Sequence, residues 1–513
     1  MHGRLLRFAL AQAALGGYGD ILANTLNLMN PPIKQFFNSS LIRNYGPEAA
    51  SSFDTVFSTS VSLQFVGLLI GFLCMGNLMD LLGRKECAIV LRSSIGIVAG
   101  LLMLLGQWLG RFEFFVLGHM VAGIVLSFKV LLVIFVAECS PDQHRGMATM
   151  LVNSGASLAT CLVTPLCLPS VCGSDRWWTV LPLIAIVQAT LNLLAGFFFP
   201  QSPKQLYIQR GDRVSAESAV RYYHGDDVDA DFVIREYELE RLCESKGHAP
   251  ITEVLSNPTF RWSLWLVLLL SFVPPTSALN VKSQYLTQLL LSYGLDPSST
   301  TITMLFMSLF LLPLLFVSPL IIDRFGRRPL FLAVCLLCTL EWVGLGVAQI
   351  LVDSHVQSAF TAVIGIVSSC LGQSALNLGL LVMSPILMSE ICPLNTRAAI
   401  TQFTQVVPMA LAIVQVALFP FLLVRIGWTF FFVFALFSSI LTLLVFLQLP
   451  ETRSLPVDRL VRRVSKCRSR TVSQTAAFLH PDYGSLSSSS DLEDMNKLPV
   501  EGAFIDNMNR RLL

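Results

Sequence analysis

The sequence predicts an all-α membrane protein with twelve transmembrane helices arranged as two pseudo-symmetric six-helix bundles. Three features lead to this fold class: few charges, twelve long apolar segments, and motifs of the first half that recur in the second. Charged residues make up 13% of the 513-residue chain, about half of the roughly 25% that soluble proteins carry. This composition excludes a soluble enzyme, a disordered scaffold and a nucleic-acid-binding protein.

The apolar segments define the spans, because each is long enough to cross a hydrocarbon core of about 30 Å. They cover 8–29, 55–79, 88–110, 114–135, 147–169, 178–199, 262–288, 299–322, 329–352, 358–387, 399–424 and 427–448. We therefore expect an N-terminal six-helix bundle over 1–199 and a C-terminal one over 262–448. The charged stretch 200–261 predicts a cytoplasmic linker with amphipathic helices, and 449–513 a cytoplasmic tail that is largely disordered.

The distribution of basic residues predicts the orientation of the spans. Short loops with Arg84-Lys85, Arg145 and Arg397 all fall on one side if the N-terminus is cytoplasmic. Excess Lys and Arg mark cytoplasmic loops, so both termini are expected in the cytoplasm. Asn38-Ser39-Ser40 is a glycosylation sequon in the first outward loop, which agrees with this orientation and predicts a glycoprotein.

Three motifs of the first half return in the same order in the second half. Asp80-Leu-Leu-Gly-Arg-Lys recurs 243 residues later as Asp323-Arg-Phe-Gly-Arg-Arg, and Glu138 with Arg145 recurs 252 residues later. Pro-Gln-Ser-Pro at 200–203 is matched by Pro-Glu-Thr-Arg at 450–453. Such spacing predicts two six-span halves with a substrate site at the midplane between them.

These motifs also carry a resemblance to a known family. Gly76-x-x-x-Asp80-x-x-Gly83-Arg84-Lys85 resembles the loop signature of the major facilitator superfamily. The ordered set resembles its sugar-porter branch, specifically the facilitative glucose transporters. The resemblance implies a carrier of a small polar solute, first of all a monosaccharide such as a hexose, working by facilitative alternating access. It implies no enzymatic activity and no cofactor, and its partners are the solute and the lipid bilayer.

Acidic and basic side chains at the inner ends of the spans are predicted to form an inner gate. Ion pairs there can latch the two halves together and must break for that side to open. Topology anchoring alone is the alternative. The predicted gate residues are Asp80, Arg84, Lys85, Glu138, Arg145, Asp323, Arg327, Arg328, Glu390 and Arg397.

Span seven is where the resemblance weakens. The family has Gln-Gln-x-Ser-Gly-x-Asn followed by two Tyr, whereas this chain has Pro274-Pro275 in place of the paired Gln. Losing amides weakens the expectation of ordinary glucose selectivity, since each unmatched buried hydroxyl costs roughly 1–3 kcal/mol. The two prolines should kink or unwind the helix. The resemblance and the polar positions together imply these solute-binding residues: Asn153, Ser277, Asn280, Gln284, Tyr285, Asn377 and Gln405.

Ionisable residues inside the predicted spans form a separate set of candidates, because such groups are expensive in lipid and mark function. Asp20 lies in span one, and His119 and Lys129 lie in span four. Proton-coupled members of the sugar-porter family have an acid in span one. We therefore predict that Asp20 binds and releases a proton during transport, and that His119 or Lys129 is its partner. A static pair is the alternative. Lys282 and Glu341 have no partner that the sequence assigns.

Two rival functions and a tail motif complete the predictions. The rivals are a proton-coupled symporter of a sugar, polyol or other organic solute, and a non-transporting solute sensor. Tyr483-Gly-Ser-Leu486 has the spacing of a sorting signal that clathrin-adaptor proteins read, with the plasma membrane expected and an endosomal or lysosomal membrane as the alternative. No Cys or His group has metal-ligand spacing, so no metal site is predicted.

Overall fold

The computed structural model describes residues 3–141, 144–168, 170–244, 251–256, 258–354, 359–381, 383–384, 387 and 394–449. Within these ranges the chain is almost entirely helical. Ten helices are long and apolar enough to cross a membrane, a shorter apolar helix covers Val180–Gly196, and a broken apolar helix precedes them. The predicted twelve-helix fold is therefore confirmed.

The N-terminal half contains spans one to six. Span one is Gly3–Leu15 with Tyr18–Leu28, span two is Phe53–Leu82, and span three joins a π-helical turn, Glu86–Leu91, to Arg92–Leu109. Span four is Phe112–Ser127 with Lys129–Cys139, span five is Arg145–Val163 and span six is Val180–Gly196. Helix Asn30–Tyr45 connects the first two spans.

The C-terminal half contains spans seven to twelve. Span seven is Pro258–Ser271, Val273–Thr276 and Leu279–Ser292, span eight is Pro297–Phe325, and span nine is Arg327–Asp353. Span ten includes Ala359–Asn377, span eleven is Leu394–Ile426 and span twelve is Thr429–Gln448. The described residues between the halves form four short helices, Pro203–Ile208, Arg213–His224, Ala230–Glu244 and Ile251–Ser256.

Spans one, four, seven and ten are each interrupted near the middle. Span one breaks at Gly16-Gly17, where glycine lowers the cost of leaving the helix. Span four breaks at Phe128, next to Ser127, whose hydroxyl donates to the Ile124 carbonyl at 2.7 Å and competes with the backbone.

The break in span seven confirms the effect expected of Pro274-Pro275. Proline has no backbone N–H and cannot continue the helical ladder. Ser277 is extended, with φ −75° and ψ 167°, and its hydroxyl donates to the Pro274 carbonyl at 2.6 Å. Span ten turns at Gly379, whose φ of +105° is a left-handed conformation that favours glycine.

The helices of the N-terminal half pack with their backbones in close contact. A methyl group on Gly67 would collide with the Met120 carbonyl, and one on Gly123 would collide with the Gln64 carbonyl. Small residues at such crossings let transmembrane helices gain van der Waals contact that the lipid cannot supply. Spans two and four are therefore held as one unit.

Candidate functional site

An ion pair joins the two interrupted helices of the N-terminal half. Lys129 Nζ lies 2.9 Å from Asp20 Oδ1, and the two side chains are 16% and 19% exposed. Asp20 is the third residue after the break in span one, and Lys129 is the first after the break in span four. Pairing offsets the cost of holding either charge in the membrane.

His119, the other predicted partner of Asp20, lies elsewhere. It is fully buried, ten residues before Lys129 on span four, and its ring stacks on Phe115 with centroids 6.0 Å apart. It lies beside Gln284 of span seven. The structure thus brings Asp20 together with Lys129 rather than with His119.

A second buried ion pair joins Lys282 of span seven to Glu341 of span nine. The two side chains are 7% and 1% exposed, and Lys282 Nζ also donates to the Ser369 carbonyl of span ten at 3.2 Å. Any side chain at Gly372 would collide with the Glu341 carboxylate. The sequence left both ionisable residues without a partner, and the structure pairs them with each other.

The two halves touch on the side of the Asn38 sequon, called the outer side below. Gln284 Nε2 donates to Gln64 Oε1 of span two at 2.5 Å. The Thr287 hydroxyl donates to the Asn27 carbonyl at 2.9 Å, and Asn27 Nδ2 donates to the Lys282 carbonyl at 3.3 Å. These bonds connect spans one and two to span seven, so the outer side is closed.

This closure engages two of the predicted solute-binding residues. Gln284 is 1% exposed and Tyr285 is 2% exposed, with the Tyr285 ring packed on Phe419 of span eleven. Gln284 Nε2 can donate to a solute only after its bond to Gln64 breaks. The Ser277 hydroxyl is similarly occupied, by the carbonyl at the break in span seven.

Of the five predicted amides, Gln284 and Asn377 are hydrogen-bonded and three are free. Asn377 is buried, and its Nδ2 donates to the Leu311 carbonyl at 3.0 Å. Asn153, Asn280 and Gln405 are half-buried, and no side-chain hydrogen bond joins them to another described residue. Each of the free amides offers two donors and an acceptor to a solute hydroxyl.

At the inner ends of the spans, Arg84, Glu138 and Arg145 make contacts inside the N-terminal half. Arg84 Nε lies 3.5 Å from Glu138 Oε1, and Glu138 Oε2 accepts from the Ser202 hydroxyl at 2.8 Å. Arg145 Nε donates to the Ala137 carbonyl at 3.3 Å. These contacts brace the N-terminal half from within.

Lys85 and Arg328 are two further gate residues that the structure describes. Partial burial lowers the pKa of Lys85, and the neighbouring Glu86 opposes this shift. Arg328 Nη2 donates to the Phe446 carbonyl at 2.9 Å within the C-terminal half. The side chains of five predicted gate residues lie outside the described residues, as do Tyr483 and Leu486 of the tail: Asp80, Asp323, Arg327, Glu390 and Arg397.

One ionisable residue of the spans was missed in the sequence. Arg92 is completely buried at the start of the α-helical part of span three. An arginine inside the apolar segment 88–110 is itself the signal that marks it, because charges in a span are costly. In the described part of the chain, no group of three or more His, Cys, Asp or Glu side chains is placed to hold a metal ion.

The predicted glycosylation position is accessible. Asn38 is exposed on helix Asn30–Tyr45. The Ser40 hydroxyl is buried and donates to the Gly110 carbonyl at 2.8 Å. A glycan on Asn38 would therefore point away from the packed helices.

Comparison with known proteins identifies the family. The family described as "Sugar (and other) transporter" matches residues 20–462. Solute carrier family 2, facilitated glucose transporter member 7 of Mus musculus is 24% identical over 439 residues, 85% of each chain. Member 5 of Equus caballus is 24% identical, over 88% of this chain and 91% of the relative. Member 9 of Pongo abelii is 25% identical, over 89% and 80%.

Solved structures show the same fold. The proton:xylose symporter XylE bound to 6-bromo-6-deoxy-D-glucose has a TM-score of 0.69 at 17% identity, over 88% of this chain and 98% of that chain. The inward open conformation of XylE from E. coli has a TM-score of 0.65 at 18% identity, over 89% and 99%. The chain therefore belongs to the sugar (and other) transporter family, and it is a multi-pass membrane transporter of the major facilitator fold rather than an enzyme.

Proposed function

We propose that this protein carries a monosaccharide, first of all a hexose, across its membrane by facilitative alternating access. The observation that carries the proposal is the set of free amides, Asn153, Asn280 and Gln405, on spans five, seven and eleven of a bundle with interrupted helices. Relatives named facilitated glucose transporters support the solute class. Interrupted helices at the midplane are the usual place for a solute site in this architecture.

The small number of free amides also limits how well the site can distinguish one sugar from another. Each free amide can satisfy two or three polar groups of a bound sugar, and unmatched hydroxyls cost roughly 1–3 kcal/mol each. Pro274 and Pro275 add no side-chain donor, and Gln284 is engaged by Gln64. We therefore expect weaker discrimination among hexoses than a site with more amides would give.

Uptake into liposomes tests the proposal. The full chain should give saturable uptake of at least one labelled solute from a panel of hexoses, pentoses and polyols. Asn280→Ala should raise the half-saturation concentration roughly tenfold, because a hydrogen-bonding amide is lost from the site. Gln209→Ala, which removes an exposed amide next to the linker helix Pro203–Ile208, is the matched control and should change nothing. Absence of flux for every solute would instead favour a sensor.

Proton-coupled symport is the second candidate, and the Asp20–Lys129 pair is the observation that favours it. Facilitative transport predicts that an imposed pH gradient does not drive solute accumulation. Symport predicts accumulation that Asp20→Asn abolishes.

The symport experiment needs a control for the unpaired lysine. Asp20→Asn leaves Lys129 without its partner, which by itself destabilises a buried site. Asp20→Asn/Lys129→Gln removes both charges. If wild type responds to the gradient and both variants do not, the facilitative proposal is wrong; equal pH independence in all three supports it.

The membrane of residence belongs to the same proposal. We place the protein in the plasma membrane, with an endosomal or lysosomal membrane as the alternative, and both termini in the cytoplasm. Support comes from the positive-inside pattern and from the exposed Asn38 on the opposite side. Clathrin-adaptor proteins would bind Tyr483-x-x-Leu486 in the tail, outside the described residues.

A further inference from the structure

Arg92 of span three bonds to two interrupted helices at once. Its Nη2 donates to the Gly16 carbonyl of span one at 2.9 Å, and its Nε donates to the Val125 carbonyl of span four at 3.2 Å. The guanidinium also lies over the Tyr18 ring, 4.6 Å from its centroid. Arg92 forms no ion pair with any described residue, so backbone carbonyls and a ring face are its partners.

The two carbonyls occupy equivalent places. Gly16 lies four residues before Asp20, whose N–H donates instead to the Gly17 carbonyl at 3.1 Å, so the break leaves the Gly16 carbonyl open. Val125 lies four residues before Lys129. Arg92 therefore holds the carbonyl one helical turn before each member of the Asp20–Lys129 pair.

The C-terminal half repeats this arrangement with a different donor. Trp342 Nε1 of span nine donates to the Thr276 carbonyl at 2.8 Å. Thr276 is the last residue before the extended Ser277 and lies four residues before Asn280. Trp342 is fully buried, and its neighbour Glu341 pairs with Lys282 on the same helix segment as Asn280.

The sequence duplication relates the two donors. The loop motifs that precede the two helices are 243 residues apart, whereas Arg92 and Trp342 are 250 residues apart. The two donors therefore lie on equivalent helices, at positions that differ by seven residues. Arg92 lies on span three and Trp342 lies on span nine. These two spans hold the same place in the two six-span halves. A buried backbone carbonyl that has lost its helical partner needs another hydrogen-bond donor. Span three supplies this donor in the N-terminal half, and span nine supplies it in the C-terminal half.

We infer that Arg92 and Trp342 are positioning residues on equivalent helices: Arg92 clamps spans one and four, and Trp342 clamps span seven, each through a carbonyl that the helix break leaves open. The clamp fixes the helix segments that begin at the breaks and so sets the positions of Asp20, Lys129 and Asn280. The clamp does not depend on whether the protein transports a solute. Its effect on solute passage rests on the proposed transport function.

The chemistry of the two side chains defines informative variants. Lysine keeps the charge of Arg92 but is a single point charge without a planar fork, so it cannot serve both carbonyls in the same geometry. Phenylalanine keeps much of the volume of Trp342 but has no N–H. Trp178 provides the matched control, because it is equally buried and its Nε1 has no partner among the described residues.

Hydrogen–deuterium exchange with mass spectrometry on the full chain in lipid nanodiscs tests the clamp. Arg92→Lys should speed exchange roughly tenfold in two separate segments, 16–24 and 125–133, and leave 273–284 unchanged. Trp342→Phe should speed exchange in 273–284 and leave the two N-terminal segments unchanged. Trp178→Phe should change none of the three.

A second readout separates this inference from the proposed function. In liposomes, Trp342→Phe should raise the half-saturation concentration several-fold, whereas Trp178→Phe should not. Exchange that rises evenly over the whole bundle, or equal patterns for Trp342→Phe and Trp178→Phe, would overturn the clamp. The expected exchange pattern in a chain that carries no solute would support the clamp and reject the transport proposal.

Discussion

Replacing Glu341 with glutamine should lower the free energy of unfolding by about 3–5 kcal/mol, because it leaves the Lys282 ammonium buried without its counter-charge. Lys282 is only 7% exposed on its side chain, and its other bond is to the Ser369 carbonyl. Glutamine keeps the shape of the carboxylate, so the close packing against Gly372 survives. The expected loss is therefore electrostatic rather than steric.

Denaturant unfolding of the purified chain in one detergent measures this effect. Lys282→Met/Glu341→Leu should recover most of the stability, since removing both charges also removes their desolvation cost. Glu48→Gln neutralises an exposed carboxylate and serves as the control, with an expected change near zero. A loss below about 1 kcal/mol in Glu341→Gln would mean that Lys282 does not depend on this partner.

The sequence was sufficient for the spans because lipid imposes a simple rule. A helix satisfies nearly all of its own backbone groups inside the bilayer, where water cannot, so long hydrophobic segments locate the crossings. The break at Pro274-Pro275 was predictable for a similar reason, since proline lacks the N–H that the helix needs. The break at Phe128 depends on a side-chain competition at Ser127, and no comparable rule predicts it.

The pairing of ionisable groups was only partly predictable. Asp20 was given two possible partners, and the choice of Lys129 over His119 depends on the rotation of span four after its break. Lys282 and Glu341 lie 59 residues apart, and their contact depends on how spans seven and nine face each other. A hydrophobicity pattern does not encode that angle.

A covalent link between the two halves on the outer side should have a large effect on solute uptake. Gln64 on span two and Gln284 on span seven meet on the outer side, where Asn27 and Thr287 add further bonds between the halves. Alternating access requires these contacts to separate whenever the outer side opens. A covalent link at this point should therefore trap the closed outer side.

Crosslinking of Gln64→Cys/Gln284→Cys with a short bis-thiosulfonate reagent, which forms one disulfide with each cysteine and releases sulfinate, should reduce solute uptake to the level of protein-free liposomes. Reduction of the two disulfides should restore uptake. The control is Thr339→Cys/Thr442→Cys, which links spans nine and twelve inside one half, where the two hydroxyls lie 3.4 Å apart. Because both spans belong to the same half and their contact need not break when the halves part, uptake by the linked control should match that of the unmodified chain treated with the same reagent. Uptake that persists after verified linkage of Gln64→Cys to Gln284→Cys would show that solute passage does not require the two halves to part on the outer side.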